Sequence, residues 1–425
     1  MMNITTLQTT SSHDKARIRV VYALMGTVFF MPLNLFIMEA CLIATTLLAA
    51  RYVWKYDASP LPRWRLFVPA AGFALTALLS LAGAPHMLMG IAFYCFTILQ
   101  YILLYMLVLY FLRGEEERRL LLWCLLASAC CVVLYGLYQY AHMLTLHESE
   151  WVDQSAFPML RRRMYSTLYN PNLLSAFLLM VLGAAASMVI WTKNTWHKVM
   201  YAVLFALLML CLILTYSRGA WMSVCALVVF FGLVWDKRLW LLLLFVPVIL
   251  LFYHGGVTDR LLSIFTHSEA DTSVSMRIDM WTAALAMAGD HPILGIGWGA
   301  FKYVYPVYNE LIQEAGIVIF HAHNMFLNVL AETGMVGSFF GLWFFYGNAW
   351  YAGKFLRHVK NNTFDRVIAM TILAAIVSIT FSGVTDYDLF STQISLTLWF
   401  LCALFANTYV EYQKRCKKSL RNNSQ

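Results

Sequence analysis

Charged residues are scarce: Asp, Glu, Lys and Arg make up 12% of the 425 residues, where a soluble globular protein carries roughly a quarter. That deficit excludes the soluble class. No polar stretch is long enough to form a separate soluble domain, and neither an internal repeat nor a low-complexity tract is apparent. Cysteine is present without a framework. Cys41, Cys95, Cys124, Cys130, Cys131, Cys211, Cys225 and Cys402 sit in apolar runs, and Cys416 in a basic tail. None has metal-site spacing and none falls in a long polar loop, which argues against a zinc or disulfide scaffold. The first apolar run lacks a small-residue cleavage site and reads as a retained signal-anchor.

What is abundant is hydrophobicity, at 61% of residues and a mean hydropathy of +0.67. Apolar runs of about 20 residues, the length that crosses a bilayer as helix, recur throughout. The expectation is an all-α polytopic membrane protein, a single integral membrane domain over residues 1–425. Twelve spans can be marked: 20–32, 35–53, 66–84, 88–111, 120–142, 171–191, 199–215, 220–235, 239–254, 324–347, 366–382 and 390–410. Two connections are long, 143–170 and 255–323.

The net charge of +8 would suggest nucleic acid in a soluble protein; here the placement of the charges matters more than their sum. With a cytoplasmic N-terminus, all but seven of the 30 Lys and Arg fall on the cytoplasmic side. This loop-by-loop asymmetry places both termini inside and both long loops outside. The external exceptions are Arg161, Arg162, Arg163, Arg218, Arg260, Arg277 and Lys302. Topology works against each of them, so each needs another reason to be there.

The stretch Arg161 to Asn172 leads into the sixth span, with Asn170 suited to an N-cap and Pro171 to the first helical position. Free amides beside arginines suit a phosphate; contact with lipid headgroups is the alternative. Ser217-Arg218-Gly219 joins the seventh and eighth spans, leaving Arg218 near the membrane surface, where it needs a partner, an anion or a snorkelling route. Gly219 is expected to permit the tight turn. In the second long loop, residues 275–288 read as an amphipathic interfacial helix, stopped by Gly289 and Pro292. Arg277 and Trp281 share one of its faces, a cation beside an aromatic platform. Gly295, Gly297 and Gly299 follow no strand, so a dinucleotide fingerprint is rejected and a flexible turn expected. His321-Ala322-His323-Asn324 opens the tenth span, where Asn324, Asn328 and Glu332 form a polar stripe. A His-x-His pair can bind metal, but no third ligand is obvious. A general base is the better use of a histidine here.

These stretches, with Asp290-His291-Pro292, Gly295-Ile296-Gly297 and Glu332-Thr333-Gly334, together resemble the bacterial O-antigen ligase and polymerase superfamily. The resemblance covers roughly residues 160–340 and includes the long penultimate outer loop. It implies an inverting glycosyl transfer, independent of metal or other cofactor, at the outer face of the bacterial inner membrane. The implied donor is a glycan on undecaprenyl pyrophosphate. The acceptor would be lipid A–core, a second lipid-linked repeat unit or a protein. By position, Arg218 and Arg277 match the arginines associated with the pyrophosphate, Arg163 a frequent basic position, and His323 the proposed base, with His321 able to share that role. Asn324, Asn328, Glu332 and Trp281 are expected to support them.

The chemistry agrees. Fixed arginines in a dry site stabilise a departing pyrophosphate, and one base acting on one hydroxyl gives inversion. External acids such as Asp279, Glu310, Glu314 and Asp386 form no paired-carboxylate motif. A transporter of lipid-linked glycan is the reading from another class. Transporters place polar sites near the midplane, whereas these candidates gather at one face.

Overall fold

The computed structural model describes residues 11–56, 61–142, 163–244, 272–309, 318–360 and 363–423. No strand occurs among them, consistent with a bilayer solvent in which a helix satisfies its own backbone groups. The helices are α1 (Ser12–Phe30), α2 (Leu35–Tyr56), α3 (Phe67–Ser80), α4 (Met87–Phe111), α5 (Glu115–Ala141), α6 (Pro171–Trp191) and α7 (Thr195–Leu214). They continue with α8 (Arg218–Val234), α9 (Thr272–Asp290), α10 (Phe301–Tyr308), α11 (Met325–Leu356), α12 (Phe364–Ser382) and α13 (Thr392–Asn423). Eight of these, α2, α4–α7 and α11–α13, are long and apolar enough to cross a membrane, and two apolar helices, Phe67–Gly83 and Arg218–Val234, are shorter. The chain is a multi-pass membrane protein.

Two boundaries differ from expectation for local reasons. Ser11 caps α1, its Oγ accepting the Asp14 N–H at 3.1 Å, so the helix begins at Ser12 rather than at residue 20. The expected ninth span, 239–254, lies mostly outside the described residues. Its described start belongs to a 3₁₀ helix, Lys237–Leu244, tied to α8 by the Trp240 indole on the Val229 carbonyl at 3.1 Å.

Burial sorts the spans. In α6, α12 and α13, 78%, 72% and 89% of the apolar window is buried, against 28% in α2 and α7. The first three form the centre of the bundle. The outer two leave Phe36, Trp54 and Trp196 exposed, as lipid-facing helices can at no hydrophobic cost.

Helix ends also sort, into two faces. At one, Arg17 of α1 forks onto Glu117 of α5 at 2.6 and 2.9 Å. Arg118 reaches Asp365 of α12 at 3.4 Å and Asn407 of α13 at 3.2 Å, and Arg415 closes on Asp365 as well. All of these cations fall on the side that the loop charges assign to the cytoplasm. The starts of α6, α8 and α11 and the end of α12 meet at the opposite face.

The glycine turn is packed rather than flexible. Helix α11 breaks at Gly334, whose φ of 64° interrupts the hydrogen-bond ladder. The carbonyls of Ala331 and Glu332 then receive the N–H groups of Ile296 and Gly297 at 2.9 and 3.1 Å. In return, Met335 and Val336 donate to Pro292 and Ile293 at 2.8 and 3.4 Å. A side chain at Gly295 would stand 2.4 Å from the Glu332 backbone, so only glycine fits. Irregular backbone inside a helix bundle is tolerated where neighbouring backbone satisfies it. Upstream, α9 runs past Gly289, and its buried Met280, Ala284 and Met287 pack with Phe301 and Tyr305 of α10.

Candidate functional site

A cavity of about 360 Å³ opens where the starts of α6, α8 and α11 meet α9 and the 383–391 loop. All five residues expected to act directly, Arg163, Arg218, Arg277, His321 and His323, line it. They come from four separate stretches of chain. Arg161 and Arg162 lie outside the described residues.

Each stretch is fixed by local chemistry. Asn170 caps α6, its Oδ1 accepting the N–H groups of Asn172 and Leu173 at 2.8 and 3.3 Å, and Pro171 takes the first helical position. Arg218 opens α8 after Tyr216, which sits at φ 53°. Gly219 itself is not the turn residue. It is needed because any Cβ there would lie 2.5 Å from Thr385 Oγ1, so the helix start can approach the 383–391 loop. Asn324 caps α11 by accepting Phe326 and Leu327 N–H at 3.0 Å, and its amide donates to Val384 at 3.0 Å.

Among the described residues four non-glycines have positive φ, Ser166, Tyr169, Tyr216 and His323, and all four lie in the segments that build this face. A left-handed conformation in such residues costs of order 1–3 kcal/mol and persists where surrounding contacts impose it. The backbone strain of the described residues is concentrated here.

The polar stripe on α11 works behind the wall. Asn328 Oδ1 accepts the Ala322 N–H at 2.9 Å, and Glu332 accepts the Phe301 N–H at 3.3 Å. Both side chains are buried, and neither lines the cavity. Trp281 reaches the same loop, its indole donating to the His323 carbonyl at 3.4 Å. These residues hold the histidine loop.

The contact the sequence reading missed is Asp386. His323 Nδ1 lies 2.9 Å from Asp386 Oδ1. A carboxylate only accepts, so Nδ1 carries the proton and Nε2 keeps a free lone pair. Asp386 is held in turn by the Asn172 amide at 2.6 Å and the Tyr387 N–H at 2.8 Å. Arg163 donates to Asn172 at 2.7 Å and, through Nε, to the Thr215 carbonyl at 2.7 Å. A chain thus runs from Arg163 through Asn172 and Asp386 to His323. Burial alone would raise the Asp386 carboxyl; His323, its hydrogen bond and Arg277 outweigh that and hold it below the usual range. His321 behaves differently, because burial and then His323 push it down to about 3. Its Nδ1 accepts the His323 N–H at 3.3 Å, which places its own proton on Nε2.

His321, His323 and Asp386 offer ligand atoms within 4.8 Å of one another. The third ligand that the sequence did not reveal is therefore Asp386. A cation there would have to displace the His323–Asp386 bond in a wall shared with three arginines. The charge of that wall suits an anion.

Fold and site define a multi-pass membrane protein with an arginine-rich, histidine-bearing cavity at one face of the bundle. Residues 202–342 match the family model described as O-antigen ligase. Over these residues the chain is similar to the O-antigen ligase and polymerase superfamily. It spans Arg218, Arg277, His321 and His323, while Arg163 and Asp386 lie outside it. No curated protein matches the chain.

Proposed function

We propose that this protein is an O-antigen ligase-like glycosyltransferase, acting on the external face of the bacterial inner membrane. It moves a glycan from undecaprenyl pyrophosphate to an acceptor hydroxyl, of lipid A–core or a similar glycan. The observation that carries the reading is the His323–Asp386 pair facing a cavity shared with Arg218 and Arg277.

In this reading His323 Nε2 takes the proton of the acceptor hydroxyl. The oxygen attacks the anomeric carbon from the side opposite the pyrophosphate, the carbon–oxygen bond to phosphate breaks, and configuration inverts. Asp386 keeps the imidazole in the tautomer that has Nε2 free and stabilises the imidazolium that forms. Arg218 and Arg277 neutralise the charge that grows on the leaving pyrophosphate, which allows departure without a metal. Arg163, engaged with Asn172 and Thr215, orients this apparatus and adds positive charge to the wall. His321, neutral at working pH, fixes the His323 backbone; the base is His323.

The test is turnover of correctly inserted His323→Asn at saturating lipid-linked donor. General-base assistance contributes about 10²–10⁴-fold, so a loss of that size is expected while donor still binds. Asparagine tolerates left-handed backbone, so the loop is kept. Activity within a few-fold of wild type would sink the assignment.

A further inference from the structure

The mechanism above leaves two cavity-lining polar atoms unused. Asp388 Oδ2 and Ser382 Oγ are buried and make no hydrogen bond of good geometry among the described residues, although the Ser382 hydroxyl lies near enough to the Asp388 carboxyl to act on it. Asp388 is 2% exposed and Ser382 5%, and both line the cavity that holds His323 and the arginines. Ser382 ends α12, and Asp388 opens the 3₁₀ turn Asp388–Phe390. Leaving a buried polar group unsatisfied is costly. Two such atoms on the wall of one cavity describe a place prepared for a polar ligand.

We propose that Asp388 and Ser382 form a subsite that binds a hydroxyl of a sugar in the cavity. This rests on the glycosyl-transfer reading and extends it to substrate recognition. A hydroxyl both donates and accepts, which suits a carboxylic acid O–H beside a serine. A phosphate oxygen would meet Asp386 two residues away. The subsite thus complements the arginines, which take the anionic part of the substrate.

The protonation state agrees with this. Burial, and then Asp386, push the Asp388 carboxyl up to about 8. At neutral pH it is an acid with a proton to donate, while Asp386 is ionised. The groups that act on it are Asp386 from its own loop, the Ser382 hydroxyl at the end of α12 and Arg277 from α9, the last two opposing the rise. His321, His323, Arg163 and Arg218 share the wall.

The experiment uses purified full-length protein in liposomes, with lipid-linked glycan donor and lipid A–core acceptor varied separately. Asp388→Leu should raise one KM about tenfold at pH 7, the loss of a single hydrogen bond of ~1.4 kcal/mol. A rise in the acceptor KM assigns the hydroxyl to the acceptor, and a rise in the donor KM to the transferred glycan. Ser382→Ala should raise the same KM, and supplies the reading if the Leu variant does not fold. Unaltered KM values in these variants would overturn the subsite while leaving the transfer reading intact. A wild type that releases no undecaprenyl pyrophosphate would overturn both.

Discussion

At the residue scale the site depends on two carboxylates, Asp386 and Asp388, held in opposite states by their surroundings. Asp386 accepts from His323, Asn172 and a backbone N–H; Asp388 has an oxygen with none. Divergent environments for neighbouring titratable groups mark acid and base assignments. Replacing Asp386 by Asn removes the charge that holds the His323 tautomer while preserving size. The Asp386→Asn variant is expected to lose about 10²-fold or more in kcat with normal insertion and donor binding, measured by turnover in liposomes. Wild-type turnover in that variant would remove Asp386 from the mechanism. The arginines are legible in the sequence because external cations defy the charge rule, and the histidines because they open the polar stripe of the tenth span. Asp386 is not. Acids contribute little to topology, and its partner His323 is 63 residues distant along the chain.

At the scale of elements, the histidine loop is clamped from behind by a stripe that the sequence placed correctly but whose task it did not reveal. Periodicity puts Asn324, Asn328 and Glu332 on one face of α11; it does not say that their partners are the backbone of Ala322, Val384 and Phe301. The break at Gly334 was equally hidden, because the reciprocal bonds to residues 292–297 join segments with no shared pattern. Long apolar helices such as α6 and α12 were readable nearly to the residue, since span length and caps are local properties. Asn328→Ala leaves the Ala322 N–H buried without its acceptor. It should lower stability by about 1–3 kcal/mol, seen as a lower midpoint of thermal unfolding in detergent. Lipid-linked donor, binding the folded loop, should recover part of the loss. An unchanged midpoint would mean that the stripe does not hold the loop.

For the whole molecule, the bundle separates its charges by purpose. At one face Arg17, Arg118 and Arg415 pair with Glu117 and Asp365 and tie α1, α5, α12 and α13 together. At the other, Arg218 and Arg277 share a cavity with His323 and Asp386. The first set joins helices; the second, in the proposed account, meets the substrate. A transporter would use such a cavity to carry the intact lipid-linked glycan across, whereas a transferase cuts it at the pyrophosphate. The most direct measurement therefore follows both products in liposomes containing the purified protein and a lipid-linked glycan of known anomeric configuration. The account predicts that undecaprenyl pyrophosphate appears only when acceptor is added, in equal amount to glycosylated acceptor, with inverted configuration and with chelator present. Donor that reaches the opposite leaflet intact, with no pyrophosphate released under any acceptor, would contradict it.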